Sequence, residues 1–231
     1  MNLLDICEWE PGQHLSLIGD TGSGKTVLAQ SILSLREYVI ALRSKPDDVQ
    51  WRGYKRLRRR AGEGIEDVNF THFLVEPDYG QMQKEFHDLL EKVYTKHGGW
   101  TLFLDDLPNM QKLGPPLHSR KSSQIDRMLT MGRSKGVSVV TAMQLPVDAT
   151  SYAIGEARVV IAFMLSPSHI KVLREKTSDL MSEVVLELRE FEFAVFDRRL
   201  GQRGAVWRGM LDINSGQWGG GFVAPELERV R

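Results

Sequence analysis

The chain has 231 residues, of which 42% are hydrophobic and 26% charged, the balance of an ordinary globular protein. Its 30 basic residues equal its 30 acidic ones, so a polyanionic partner would have to be bound by a local patch. The single cysteine, Cys7, excludes an internal disulfide and a cysteine-based zinc site. The apolar run 159–165 is too short to cross a bilayer and the N-terminus lacks a secretion signal, so we expect a cytoplasmic protein.

In chain order, short apolar runs alternate with stretches of helical period. We predict strands at 14–19, 38–43, 70–76, 100–106, 137–143 and 158–165, and helices at 25–36, 82–93, about 124–135 and 167–181. In the first of these helices, Val27, Leu28, Ile32 and Leu35 are expected to face the interior. Apolar strands alternating with helices predict an α/β fold, in which a mainly parallel sheet is flanked by helices.

The pattern changes near the C-terminus. Residues 186–197 alternate with period two, and a turn at 200–204 leads into 205–213, which predicts an antiparallel β-hairpin over about 186–213. We therefore expect one domain over 1–213. The Gly-rich tail, 214–231, is expected to be loosely ordered.

The segment "GDTGSGKT", 19–26, fits G-x-x-x-x-G-K-[ST] between a strand and a helix, the context that a P-loop requires. Glycines let successive backbone N–H groups point at phosphate oxygens, and the helix adds its positive end. Lys25 can reach the β- and γ-phosphates, and the Thr26 hydroxyl can bind Mg²⁺. We predict ATP and Mg²⁺ as ligands; the alternative is a glycine turn with a chance lysine. The predicted nucleotide site comprises Gly19, Asp20, Thr21, Gly22, Ser23, Gly24, Lys25 and Thr26.

Two acids, Asp105 and Asp106, end the predicted strand 100–106. We predict that Asp105 binds Mg²⁺ and that Asp106 orients and deprotonates the attacking water; the alternative is two solvated aspartates. The long interval between Lys25 and Asp105 leaves room for two further strands. This suits the P-loop ATPases with an extra strand between the two nucleotide strands (the ASCE branch) and argues against a simple kinase.

Together these residues resemble the FtsK/HerA superfamily of ring-forming, ATP-driven DNA pumps. "TGSGKT" (21–26) is similar to its P-loop, "TLFLDDL" (101–107) to its metal strand, and "MGRSKGVSVVTAMQLPVDATSYAIGEARVVIAFMLSPSHIKVL" (131–173) to its most distinctive block. The resemblance covers residues 14 to about 176 and implies a RecA-like fold, a hexameric ring and double-stranded DNA as partner. The family usually has glutamate where this chain has Asp106, so the shorter side chain is expected to act through a bridging water or to hydrolyse ATP slowly.

The resemblance also implies roles for three further residues. Gln144 is expected to sense the γ-phosphate, the alternative being a glutamine that simply meets solvent. Arg133 or Arg158 is expected to enter a neighbouring subunit's site and stabilise transition-state charge. For Arg133 the alternative is an arginine that complements the dipole of the helix it ends.

A basic run, "WRGYKRLRRR" (51–60), carries aromatic residues between its charges. Such clusters favour phosphate backbones, and rings such as Trp51 and Tyr54 can stack on bases. The alternatives are a solvated loop or a contact with a neighbouring subunit or a portal. The loop 111–121 is a second segment that could line a central pore. The candidate DNA contacts are Arg52, Lys55, Arg56, Arg58, Arg59 and Arg60.

In its small size the chain resembles the stand-alone genome-packaging ATPases of tailless viruses. This resemblance implies an ATP-driven DNA translocase with a capsid or portal partner. It also implies a location in the host cytoplasm or at the virion vertex. One rival is an AAA+-like switch such as a helicase loader, which usually has Asn or Thr in place of Gln144 and a helical lid after the core. Another is a structural or assembly component that only binds ATP.

Overall fold

The computed structural model describes residues 2–43, 51, 53–57, 70–75, 82–95, 99–113, 124–146, 151–199, 205–211 and 225–230. Within these ranges the strands are β1 (His14–Ile18), β2 (Tyr38–Leu42), β3 (Lys55–Leu57), β4 (His72–Val75), β5 (Trp100–Leu104), β6 (Ser138–Met143), β7 (Ala157–Phe163), β8 (Glu192–Asp197), β9 (Ala205–Met210) and β10 (Glu228–Arg229). The helices are α1 (Leu3–Cys7), α2 (Lys25–Leu33), α3 (Met82–Thr95), α4 (Leu107–Leu113), α5 (Gln124–Met131), α6 (Ser151–Gly155), α7 (Pro167–Lys176) and α8 (Asp179–Glu187), and a 3-10 helix spans Gly132–Lys135.

The described strands form a single ten-stranded sheet in the order β10-β9-β8-β7-β1-β6-β5-β2-β4-β3. Every pair from β7 to β3 runs parallel, whereas β8, β9 and β10 are antiparallel to their neighbours. The predicted mainly parallel sheet and the C-terminal antiparallel hairpin are therefore both confirmed. The order places β6 between β1 and β5, which is the extra strand that the sequence predicted.

The core has two layers, one on each face of the sheet, because successive strand residues point to opposite faces. Leu17 and Ala41 pack in one layer with α1 and α2. Ile18 and Ile40 pack in the other layer with the helices from α3 to α8. Both layers are apolar because each face of the sheet is covered by helices.

Helix boundaries differ from the sequence prediction at three places. Leu35, expected to face the interior, lies beyond the end of α2 and is 40% exposed. The single helix predicted at 167–181 is two helices, because the Ser178 side chain accepts a hydrogen bond from the Met181 N–H and begins α8. Residues 186 and 187, predicted as strand, are the end of α8, so the hairpin strand begins at Glu192.

Part of the tail, expected to be loosely ordered, belongs to the sheet. Glu228 and Arg229 pair with β9, and the buried Leu227 packs where Gly209 has no side chain, since a Cβ there would lie 2.8 Å from Leu227 Cδ2. The Leu3 N–H donates to the Pro225 carbonyl at 3.0 Å. None of the helices in the described ranges is long and apolar enough to cross a membrane.

Candidate active site

Three neighbouring strands bring the predicted site residues to one edge of the sheet. The P-loop follows β1, Gln144 follows β6, and Asp105 follows β5. Ile18 is in register with Met143, and Leu104 with Thr141, so these exits lie within two residues, or about 7 Å, of the same level. The carboxyl ends of parallel strands thus gather the P-loop, the glutamine and the acid pair.

The P-loop backbone has the conformation that its glycines predict. Gly22 and Gly24 have φ of 83° and 98°, values that L side chains rarely adopt. The Ser23 N–H donates to the Asp20 carbonyl at 3.2 Å, and the Leu28 N–H donates to the Gly24 carbonyl at 2.9 Å. The loop therefore closes in a turn and passes directly into the first turn of α2.

Two apolar side chains pack against the P-loop from the terminal half of the chain. A Cβ on Gly24 would lie 2.5 Å from Leu211 Cδ2, and a Cβ on Gly19 would lie 2.8 Å from Phe163 Cβ. Both side chains are buried. The residue after β9 and the last residue of β7 therefore support the loop, and neither glycine could be replaced without moving them.

Polar groups within the loop fit a phosphate ligand. The Lys25 ammonium donates to the Gly19 and Asp20 carbonyls at 2.7 and 2.6 Å, which holds its charge at the loop. Ser23 Oγ is buried, and no described group is its hydrogen-bond partner. An orphaned hydroxyl beside a lysine and left-handed glycines is suited to ligand oxygens.

The acid pair lies where β5 meets α4. The Asp105 N–H donates to the Leu42 carbonyl at 3.1 Å, so this residue still belongs to the sheet. Asp106 has φ of 61°, and its Oδ2 accepts a 2.7 Å hydrogen bond from Asn109 Nδ2. The two carboxylates are therefore held by different elements, the first by the sheet and the second by the helix.

Gln144 is joined to the P-loop strand through its own strand. The Gly19 N–H donates to the carbonyl of Met143 at 3.1 Å, which places Gln144 beside the start of the loop. Two residues further back, the Ser16 and Thr141 hydroxyls form a buried 2.9 Å hydrogen bond, and the Ser16 hydroxyl also donates to the Ala153 carbonyl. A shift of β6 relative to β1 would break the bond between Gly19 and Met143 and the bond between Ser16 and Thr141, and the bond to Ala153 ties β1 to α6.

Metal-binding capacity at this edge is limited to a few oxygens. Among the described residues there is no group of three or more His, Cys, Asp or Glu side chains that could hold a metal ion. A P-loop Mg²⁺ needs fewer protein ligands, since phosphates and waters supply the rest. The half-buried Thr26 and Asp105 have the hard oxygen ligands that Mg²⁺ prefers.

Arg133 lies at the opposite edge of the sheet. It is exposed, in the 3-10 helix that precedes β6, and the six residues of β6 separate this edge from Gln144 by about 20 Å. A Cβ on Gly12 would lie 2.7 Å from Arg133 Cα, so the backbone at Arg133 packs tightly against the turn before β1. Its side chain can act on a triphosphate only in another subunit.

Arg158 lies at the same edge but is buried. Its guanidinium donates to the Glu8 carbonyl at 2.9 Å and to Gln13 Oε1 at 2.6 Å, and it forms a 3.6 Å ion pair with Asp197, whose side chain is fully buried. Burial raises the pKa of the Asp197 carboxyl, and the Arg199 N–H opposes this rise. The Arg158 guanidinium is therefore bound within its own chain, where it joins the N-terminal segment to β7 and β8.

The described part of the basic run lies at the outer edge of the sheet. Trp51, a candidate for base stacking, is instead buried against Phe103, with ring centroids 5.4 Å apart. Tyr54 is half-buried and packs edge-on against Trp51, and burial raises its pKa. These rings belong to the core, because β3 pairs with β4 and brings the run onto the sheet.

Two candidate DNA contacts lie in β3, where Arg56 is exposed and the Lys55 ammonium lies 4.7 Å from the Phe70 ring centroid. The other candidates, Arg52, Arg58, Arg59 and Arg60, lie outside the described residues. In the second loop, residues 111–113 are the end of α4 and 114–121 lie outside the described ranges. Sequence reasoning missed Asn109 and Leu211, and the one available signal was an amide placed three residues after an acid.

Comparisons with known proteins give structural matches. No family model matches the sequence, and no curated protein matches it significantly. The genome packaging NTPase B204 from Sulfolobus turreted icosahedral virus 2 in complex with ATPγS matches with a TM-score of 0.66 and 18% identity, over 82% of this chain and 94% of that chain. Its complex with sulfate matches with a TM-score of 0.67 and 18% identity, over 87% and 96%. The pCW3 conjugation coupling protein TcpA matches with a TM-score of 0.51 and 12% identity, over 84% and 59%.

These TM-scores, at 18% identity or less, show a shared fold. The molecule has the RecA-like P-loop NTPase fold that the sequence resemblance predicts.

Proposed function

We propose that this chain, with its FtsK/HerA-like P-loop fold, hydrolyses ATP and uses the energy to move double-stranded DNA, as the packaging motor of a tailless virus. The observation that carries the proposal is the meeting of P-loop, Gln144 and acid pair at the carboxyl ends of β1, β6 and β5. Further support is the fold shared with the viral packaging NTPase B204, which was solved with ATPγS.

In this proposal the loop N–H groups and Lys25 bind the β- and γ-phosphates. Asp106 orients the attacking water and accepts its proton. Thr26 and Asp105 would hold Mg²⁺, which when bound neutralises phosphate charge. Gln144, one residue beyond the bond between Met143 and Gly19, is suited to report γ-phosphate loss because its amide both donates and accepts.

Two observations favour a pump over an AAA+-like switch. The polar side chain at the end of β6 is glutamine, and after α7 and α8 the described chain returns to the sheet as the antiparallel strands β8 and β9. Strand β9 also leads to Leu211, which contacts the P-loop at Gly24. The terminal strands therefore offer a route by which nucleotide state could alter the outer surface.

Charge and position support a proposal for the oligomer and the DNA partner. Arg133 is exposed about 20 Å from the P-loop edge of its own sheet, so a ring in which one subunit's Arg133 reaches the next subunit's phosphates would give it a function. We propose a hexamer, with the basic run that includes Lys55 and Arg56 facing the duplex or a capsid or portal component.

The test is ATP turnover by the purified chain with and without double-stranded DNA. We expect turnover that rises when DNA is added. Lys25→Ala should lower it by at least about 100-fold, because the loop loses the cation that binds the phosphates. The matched control is Lys171→Ala, which removes an exposed lysine from α7 and should leave turnover unchanged.

Other outcomes separate the rival functions. ATP turnover that does not change when DNA is added would support the AAA+-like switch. Binding of ATP without turnover would support the structural or assembly component. Undiminished turnover by Lys25→Ala would overturn the proposed site itself.

A further inference from the structure

The residue proposed as the base is held by a side-chain contact that the P-loop motifs do not describe. Asp106 Oδ2 accepts from Asn109 Nδ2 at 2.7 Å, a short bond for an amide and a carboxylate. Asn109 is exposed on the first turn of α4, so this bond buries little surface.

The backbone adds a second restraint on the same carboxylate. Asp106 is one of two non-glycine residues with positive φ among the described residues, a conformation that persists where neighbouring contacts hold it. The Asn109 and Met110 N–H groups donate to the Asp106 carbonyl at 3.0 and 3.2 Å. The same helical turn therefore holds both the backbone and the carboxylate of Asp106.

We propose that Asn109 is a positioning residue for the hydrolysis step: it binds Oδ2 of Asp106 so that Oδ1 is left to accept the proton of the attacking water. This rests on the proposed ATPase function. In that step a water O–H bond breaks and its proton moves to Oδ1, while the water oxygen forms a bond to the γ-phosphorus. The bond from that phosphorus to the bridging oxygen breaks, and its electron pair stays on ADP. A carboxylate free to rotate would present the accepting oxygen for a smaller part of the time.

Helix capping is the structural alternative, since a polar side chain in the first turn commonly serves the helix end. The two roles differ in what they predict for rate. A capping role affects folding stability alone, whereas a positioning role affects kcat at unchanged stability and unchanged KM for ATP.

The test compares three variants by basal ATP turnover and by thermal unfolding. Asn109→Ala should lower kcat about 10-fold with KM unchanged. Thr95→Ala is the control, because its exposed hydroxyl donates to the Glu91 carbonyl at 2.9 Å within α3 without touching Asp106; its kcat should stay within about 2-fold of wild type. Asn109→Asp keeps the shape and suits a helix N-terminus, yet it should lower kcat at least as far because the donor is gone.

A double-mutant cycle identifies the residue through which Asn109 acts. Asp106→Asn should lower turnover strongly, and adding Asn109→Ala to it should cause no further loss, because two residues that act as a unit are non-additive. A further 10-fold loss in that background would show that Asn109 acts elsewhere and would overturn the proposal.

The failures can be told apart. If wild type turns over ATP and Asn109→Ala behaves like Thr95→Ala, or Asn109→Asp behaves like wild type, the positioning role is wrong and the ATPase function stands. If wild type shows no turnover, both are overturned.

Discussion

The two edges of the parallel sheet differ in how their polar groups are satisfied. At the carboxyl edge, Asp106 has a left-handed backbone and the buried Ser23 hydroxyl has no described partner. At the amino edge, the His14 ring accepts a 3.0 Å hydrogen bond from the Val139 N–H, and the Gly12 N–H donates to Ser138 Oγ at 3.0 Å. A strained non-glycine backbone and an orphaned hydroxyl thus occur together where a ligand is expected. The opposite edge is held by its own hydrogen bonds, although Arg158 Nε is buried there with no hydrogen-bond partner among the described groups.

The surroundings of a charged residue therefore have to be considered before a function is assigned to it. Arg133 precedes β6 and Arg158 is the second residue of β7, so both lie near the amino end of a strand. The first is exposed, whereas the second is buried among acceptors of its own chain. Residue type and spacing do not distinguish them, but burial does.

The largest expected effect separates these two arginines. Arg158→Met should lower the free energy of unfolding by about 3 to 5 kcal/mol, because it breaks a buried, hydrogen-bonded ion pair with Asp197. Arg133→Met should change it by less than about 0.5 kcal/mol, since the side chain is exposed. Urea denaturation measures both.

For the rate of ATP turnover, we expect Arg133→Met to have a larger effect than Arg158→Met. If Arg133 acts in a neighbouring subunit, Arg133→Met should lower ATP turnover by about 1000-fold, and mixing it with Lys25→Ala subunits should restore part of the activity. No restoration would count against action between subunits, and a stable Arg158→Met variant would show that the amino edge does not depend on its ion pair.

A smaller effect tests the support of the P-loop. Leu211→Ala and Leu227→Ala each remove a buried leucine from the terminal region, and each should lower unfolding free energy by about 3 kcal/mol. Leu211 contacts Gly24 of the loop, whereas Leu227 contacts Gly209. We therefore expect Leu211→Ala alone to weaken ATP binding, by about 10-fold, as measured by titration with a fluorescent ATP analogue. Equal affinities in the two variants would show that the loop does not need this contact.

The smallest effect concerns pH at the amino edge. Burial lowers the pKa of His14 to about 4, although a hydrogen bond to the Leu129 backbone acts in the opposite direction. The unfolded chain takes up this proton first, so stability from neutral His14 is complete above the ordinary pKa and is lost as pH falls toward the folded value. Between about pH 7.5 and about pH 5.5 the loss should be about 1 kcal/mol.

Denaturation at the two pH values measures this loss, and His14→Gln should remove the part of the slope due to this residue. A slope unchanged by His14→Gln would assign the acid sensitivity to other groups.

The sheet, the P-loop and the acid pair could be predicted because each depends on residues that are close together in the sequence. Hydrophobic period two or 3.6 marks strands and helices, and the glycines from Gly19 to Gly24 mark a turn whose conformation few other residues allow. The interval between Lys25 and Asp105 indicated the ASCE branch, and the extra strand of that branch is β6, which follows Asp105 in the chain.

Other features depend on contacts between distant residues and could not be predicted. Leu211 meets the P-loop from the far end of the chain, and Trp51 is buried because β3 joins the sheet. The Asn109 contact depends on the backbone angle at Asp106, which no period or motif encodes. The break between α7 and α8 at Thr177 is not marked by a proline or a glycine in the sequence.

The left-handed conformation of Asp106 limits which acidic side chain can stand at this position. Short polar residues tolerate that conformation better than longer ones, so the identity of this side chain and the path of its backbone have to change together. A glutamate at position 106 is therefore expected to alter the chain's exit from β5, the start of α4 and the hydrogen bond from Asn109 together. The acid and the first turn of α4 therefore constrain each other's conformation.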